Sequence, residues 1–184
     1  MFGFLFTFAI IENMKNKKVA IFDIDGTLFR KSLFIEMVEE MIDSGHFRSS
    51  AKKEYMQTLK NWNDRKGSYS EYLDDVIRVF QKNIKGVHYK DFLSVSKNVV
   101  KREQQTVYKY TRDLIKECKS KGYYLLAVSQ SPKTILDLFC KEFNFDKVYG
   151  RIYEIGPTDK FTGEIAQLHI IGNKANIVKR ALEK

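Results

Sequence analysis

Val19-Ala20-Ile21-Phe22-Asp23-Ile24-Asp25-Gly26-Thr27-Leu28 is the stretch that decides the fold. An apolar run empties directly into two carboxylates and a glycine turn, the pattern of a buried strand carrying polar chemistry at its carboxyl end. In open parallel sheets, ligands bind in the crevice beyond the strand ends. Two aspartates two residues apart share that crevice if the chain turns sharply at Gly26. One carboxylate is then placed to attack and to hold a metal, the other to handle a proton. A plain polar turn uses the same residue types for backbone reasons, so the surrounding sequence has to separate the two readings.

Working outward, the next seventy-odd residues show helical periods and no alternation of strand with helix. Leu33, Phe34, Met37, Val38, Met41 and Ile42 form one stripe, stopped at Gly45. Tyr55, Leu59 and Trp62 form a second, and Tyr72, Leu73, Val76, Ile77 and Phe80 a third, ending near Gly86. Tyr89, Phe92, Leu93 and Val99-Val100 suggest a fourth. Residues 31–104 therefore read as a helical insertion, whose aromatic and methionine stripes are core rather than a ligand cage. Regular α/β structure resumes with a helix carrying Val107, Tyr110, Leu114, Ile115 and Cys118, closed by Gly122. A second apolar strand, residues 123–128, runs into Ser129-Gln130-Ser131-Pro132, with Pro132 suited to the first turn of the next helix. That helix carries Ile135, Leu136, Phe139 and Phe143. Lys147 to Ile155, the turn at Gly156-Pro157 and Phe161 to Ile165 read as a hairpin, and residues 173–182 as a last helix.

The chain has 184 residues, 43% of them hydrophobic, enough for one core domain with a modest insertion. Its 32 Lys+Arg against 23 Asp+Glu give a net charge of +9, which favours anionic ligands by steering. The lysines are spread along helix faces with acidic residues between them, and no stripe or recognition motif supports nucleic-acid binding. Cys118 and Cys140 lack metal-ligand spacing and read as small core residues in a reducing compartment, while His46, His88 and His169 are too scattered for zinc.

The segment around Asp23 and Asp25 resembles the nucleophile motif of the haloacid-dehalogenase-like (HAD) superfamily, most of whose members are magnesium-dependent phosphatases and phosphotransferases working through an aspartyl-phosphate. The resemblance runs from Lys17 onward and is nearest to the phosphoserine-phosphatase-like branch. It implies an α/β, Rossmann-like parallel-sheet core formed by residues 17–30 and 105–184, with 31–104 as a cap. It makes Asp23 the nucleophile and a Mg²⁺ ligand. Asp25 becomes the acid that protonates the leaving group and then activates water, its backbone carbonyl reaching the metal. Thr27 matches the position that orients the loop at the phosphate. Ser129, with Gln130 beside it, matches the second motif, where a hydroxyl and nearby amides grip phosphate at a helix start; an ordinary helix cap is the plainer alternative. Phe161-Thr162-Gly163 followed by Gly172 and Lys174 resembles the approach to the third motif, whose lysine pairs with the nucleophile and the phosphate. Lysine at a helix start is not favoured by the dipole, which asks for such a reason. Arg30 is a candidate for the cap hinge or for substrate contact.

The fourth motif of that family, a strand ending in an acidic cluster that completes the Mg²⁺ shell, has no match after Lys174. The core is therefore expected to be incomplete at its C-terminal end, with residues 19–24 left as an apolar sheet edge. Met1 to Ile11 is apolar but lacks both the length for a membrane span and the basic start of a signal peptide. Met14-Lys15-Asn16-Lys17-Lys18 looks like the start of many cytosolic members, so Met14 is expected to be the natural start, with the segment before it a translated leader, and residues 1–16 are set apart from the core as an apolar leader. The rivals are a weak membrane-surface anchor and an extra strand, Phe4 to Ile10, pairing beside residues 19–24. The leading expectation is a cytoplasmic phosphatase acting on a small phosphomonoester, without nucleic acid or stable membrane insertion, its oligomeric state open. A catalytically impaired, phosphate-binding relative is the alternative, and a membrane-associated interaction protein ranks last.

Overall fold

The computed structural model describes residues 8–12, 18–166 and 176. The decisive stretch forms strand β2 (Lys18–Asp23), with β1 (Phe8–Glu12) before it in the chain. Val19, Ala20, Ile21 and Phe22 are all buried, so β2 is covered on both faces and reads as a continuous apolar run. It pairs in parallel with β3 (Tyr124–Pro132), Val19 opposite Tyr124 and Asp23 opposite Val128. β3 pairs in parallel with β4 (Lys147–Ile155), and the register shifts between Val128 and Pro132.

On its other side β2 takes β1 as an antiparallel neighbour, Phe8 opposite Phe22 and Glu12 opposite Lys18. The expected exposed edge at residues 19–24 is thus covered, because the free N–H and C=O groups of an apolar strand are satisfied by another strand. Among the described residues the pairing runs from Phe8 to Glu12, and residues 1–7 and 13–17, with Phe4 to Thr7 of the expected strand, lie outside them. The β2, β3 and β4 strands pair in parallel, the α/β architecture expected.

Between β3 and the segments around it stand α5 (Lys109–Ser120) and α6 (Lys133–Lys141), here preceded in the chain by α1 (Leu33–Asp43), α2 (Met56–Asn63), α3 (Tyr69–Ile84) and α4 (Tyr89–Glu103). α5 buries Thr111, Ile115 and Cys118. It stops where Gly122 turns to φ +76° and donates its amide to the Lys119 carbonyl at 3.0 Å. Tyr110, expected on the apolar stripe, is instead 72% exposed. α6 buries Ile135, Leu136, Phe139 and Cys140. Pro132 stands one position earlier than expected, at the helix cap, and Phe143 lies past the helix end.

The described chain falls into two compact units. One holds the segment up to Leu33 together with Val100–Ile152; the other holds Phe34–Val99 with Tyr153–Ile165. Residues 153–165 were expected in the α/β core, yet they pack with the helices. Phe161 and Val87 form one side of a short backbone pairing, Gly86 N to Phe161 O and Phe161 N to Val87 O, both 2.9 Å. The Phe161 ring lies 4.9 Å from Phe92, and Tyr153 5.0 Å from Phe80. β4 therefore starts in the first unit and ends in the second, beside β5 (Phe161–Ala166). In the helical unit, Phe80 also meets Phe34, Phe47 and Phe92 at 5.2, 5.9 and 6.3 Å. α3 begins with a capping box, Ser68 and Glu71 each bonding the other's amide. The second stripe departs from expectation: Tyr55 precedes α2, and Trp62 is exposed with its ring against Tyr69.

Candidate active site

The turn after β2 is built from backbone bonds. The carbonyl of Ile24 accepts from the amides of Thr27, Leu28 and Phe29 at 3.2, 3.0 and 2.9 Å, and the Gly26 amide reaches the carbonyls of Phe29 and Lys31 at 2.8 and 3.1 Å. Gly26 sits at φ +75° with open space around a hypothetical Cβ, so its backbone angle, not crowding, is what asks for glycine. The turn is strapped to the start of α5: Thr111 Oγ1 donates to the Thr27 carbonyl at 2.7 Å, and Tyr108 N to Leu28 O at 2.9 Å. Beside it the Arg30 amide donates to Thr106 O at 3.0 Å, and the Arg30 guanidinium lies 5.8 Å from the Tyr108 ring centroid. Lys31, Arg102 and Thr106 donate to buried Glu103. Burial opposes ionisation there, but these partners outweigh it and hold the Glu103 carboxyl below its usual range.

This turn presents Asp23 and Asp25 in different settings. Asp23 is half-buried, and its Oδ1 accepts from the following amide, Ile24 N, at 3.0 Å. The Asp25 carboxyl accepts Leu33 N at 2.7 Å on Oδ1, and on Oδ2 it accepts both Ser129 Oγ at 2.5 Å and Ser131 Oγ at 2.8 Å. Burial pushes its pKa up, the three donors pull it back only in part, and the charge of Asp23 adds to the rise. Ser129 and Ser131 are almost fully buried, and Ser131 N donates to Ser129 Oγ at 2.9 Å.

The structure thus brings Asp23, Asp25 and Ser129 together at adjacent strand ends, with Thr27 in the turn beneath them. Gln130 faces elsewhere in its bonding: its Oε1 accepts from Arg151 Nε at 2.9 Å. Lys174 and the last expected helix lie outside the described residues. Ser131 is the residue that sequence reasoning passed over. Its signal was the strand period of two, which puts it on the same face as Ser129.

A magnesium site is implied by the resemblance, and the donors fit it in kind. Mg²⁺ prefers oxygen ligands, takes one or two carboxylates and keeps several waters. The Asp23 carboxylate and the Asp25 backbone carbonyl are the fitting donors, because the Asp25 carboxyl is already occupied by three hydrogen bonds. Among the described residues no group of three or more His, Cys, Asp or Glu side chains surrounds a metal position. Cys118 and Cys140 are buried free thiols, pushed up by burial and remote from such a role.

No curated protein matches the sequence. Solved structures do match the fold. A protein of unknown function from Bordetella pertussis Tohama I is 11% identical, with TM-score 0.65 over 88% of this chain and 70% of its own. A substrate-bound phosphoserine phosphatase is 18% identical, with TM-score 0.56 over 89% and 69%. Phosphoserine phosphatase from T. onnurineus is 25% identical, with TM-score 0.52 over 90% and 70%. The family described as haloacid dehalogenase-like hydrolase matches residues 20–184, a span that begins in β2 and includes Asp23, Asp25 and Ser129, and the chain belongs to that family.

Proposed function

We propose that this protein is a phosphatase that hydrolyses a small phosphomonoester in two steps on Asp23 and Asp25. The observation that carries the reading is the contrast between the two carboxyls: Asp25 is triply hydrogen-bonded and raised in pKa by burial, while Asp23, half-buried beside it, accepts from the following amide. Paired groups whose surroundings push their acidities apart are suited to divided acid and nucleophile roles. In the first step an Asp23 carboxylate oxygen attacks phosphorus, the bond from phosphorus to the leaving oxygen breaks, and Asp25 gives that oxygen its proton. In the second, Asp25 takes a proton from water, the water oxygen attacks phosphorus, and the Asp23–phosphoryl bond breaks to release inorganic phosphate.

Ser129 and the amides at the start of α6 would grip the phosphoryl oxygens, with Thr27 holding the loop and Lys174 supplying a positive charge. Gln130 would contribute its backbone amide, since its side chain is engaged by Arg151. Mg²⁺, held by the Asp23 carboxylate and the Asp25 carbonyl, would neutralise charge on the transferring group. The helical unit, residues 34–99, would serve as the cap that selects the substrate. Two free buried thiols accord with a reducing, cytoplasmic setting, and no described helix is long and apolar enough to cross a membrane.

The test is hydrolysis of p-nitrophenyl phosphate with and without Mg²⁺, alongside Asp23→Asn. Metal-dependent turnover that falls at least about 1,000-fold in the variant supports the mechanism. A folded protein that binds phosphate but does not turn over would place it among impaired, phosphate-binding relatives.

A further inference from the structure

We infer that Ser131 is a positioning residue for this reaction: its hydroxyl keeps Asp25 in place when the Ser129 hydroxyl turns to the phosphoryl group. The inference rests on the phosphatase reading above and adds to it a residue with its own role. Two hydroxyls converge on a single oxygen, Asp25 Oδ2, from residues two apart on β3. A serine hydroxyl has one proton to donate. Ser129 therefore cannot donate to Asp25 and to a phosphoryl oxygen at once, and its use as a phosphate donor withdraws a donor from Asp25. Its oxygen need not move far, because Ser131 N holds Ser129 Oγ at 2.9 Å while the O–H rotates. What then keeps the Asp25 carboxyl in orientation is Leu33 N on Oδ1 and Ser131 Oγ on Oδ2. Without Ser131, Asp25 Oδ2 loses its last side-chain donor when Ser129 turns to the phosphoryl group.

The position of Ser131 is itself enforced. β4 runs against the turn into α6 at Gly150, where an added Cβ would lie 2.8 Å from the Ser131 carbonyl oxygen, 3.0 Å from Lys133 Cα and 2.4 Å from Leu136 Cδ1. Two of those atoms are backbone, so the turn cannot slip back toward β4. Buried, fixed from behind and bonded in front, Ser131 is placed as a fixed strut, whereas Ser129 has an alternative partner.

The experiment is steady-state kinetics on p-nitrophenyl phosphate with Mg²⁺ for the unaltered protein, Ser129→Ala, Ser131→Ala and Ser131→Thr, with product inhibition by inorganic phosphate as the binding readout and thermal melting as the control on folding. Ser131→Ala is expected to lose about 10- to 100-fold in kcat, as misplacement of a catalytic group does, with KM and phosphate inhibition little changed. Ser129→Ala is expected to raise KM and weaken phosphate inhibition, and Ser131→Thr, which keeps the hydroxyl, to recover most of the kcat. A Ser131→Ala enzyme with unaltered kcat overturns the inference. So does one that weakens phosphate inhibition in parallel with Ser129→Ala, or a threonine variant no faster than the alanine one. An unaltered protein that turns nothing over overturns the phosphatase reading and the inference with it, an outcome distinct from the other three, all of which require an active parent.

Discussion

The turn from Ile24 to Lys31 and the helical unit of residues 34–99 keep their shapes by different physics. In the turn, one carbonyl serves three amides, a glycine at φ +75° reverses the chain, and the Asp25 carboxyl is bonded to the buried hydroxyl of Ser129. Polar groups in such a place are specific because leaving any one unpaired costs more than pairing it gains. In the helical unit, shape comes from rings: Phe80 touches Phe34, Phe47, Phe92 and Tyr153, and Phe161 joins from the hairpin. Apolar packing of this kind tolerates exchange of shape so long as volume is kept. The first region is built to hold one geometry, the second to hold a volume. That difference separates a turn fixed by bonded polar groups from a unit whose side chains can exchange as long as they fill the same space.

The largest effect expected on stability is in the ring cluster. Phe80→Ala should cost about 3–5 kcal/mol, read by denaturant unfolding, whereas Phe80→Leu should cost far less; equal losses would break the contrast between volume and geometry. Gly150→Ala tests the strand end that presents Ser131 to Asp25. One added methyl against backbone should cost about 1–3 kcal/mol and reduce kcat as well, and a variant that melts and turns over like the parent would show that the turn into α6 is not fixed from behind.

Asp25→Asn sharpens the comparison through its sign. Burial raises the Asp25 pKa above its unfolded value, so the folded state favours the proton, and the carboxyl weighs increasingly against folding as pH rises from the ordinary carboxylate range through the folded pKa. Asparagine carries no charge, and its amide can donate to the two serine oxygens while its oxygen accepts Leu33 N. In metal-free buffer the variant should melt higher than the parent at pH 7, with a smaller difference at pH 4, and should lose turnover. A variant less stable at both pH values would mean that the three donors outweigh the burial. The smallest effect is at the helix start: Ser68→Ala removes the capping box of α3 and should cost about 1 kcal/mol, measurable as a small drop in melting temperature without change in kcat.

Much of the α/β frame was legible because its signals are local. An apolar run that ends in Asp-Ile-Asp-Gly marks a buried strand and a turn within ten residues, and helical stripes, glycine stops and the serine–glutamate cap of α3 act over three or four positions. Asp23, Asp25 and Ser129 could be picked out because each follows directly on an apolar strand. The errors lie where burial depends on neighbours from elsewhere. Trp62 and Tyr110 keep helical spacing yet are exposed, because spacing says which residues share a face and not what covers it.

What the sequence by itself determined is therefore the alternation of strand and helix, the helical insertion and the pair of carboxylates at a strand end, all consequences of backbone geometry and nearest neighbours. Only the tertiary structure decided that β1 covers β2, that residues 153–165 join the helices, and that Ser131 as well as Ser129 bonds Asp25 across more than a hundred residues. Those outcomes depend on which strands lie side by side and in what register, and register is set by the packing of faces that are far apart in the chain.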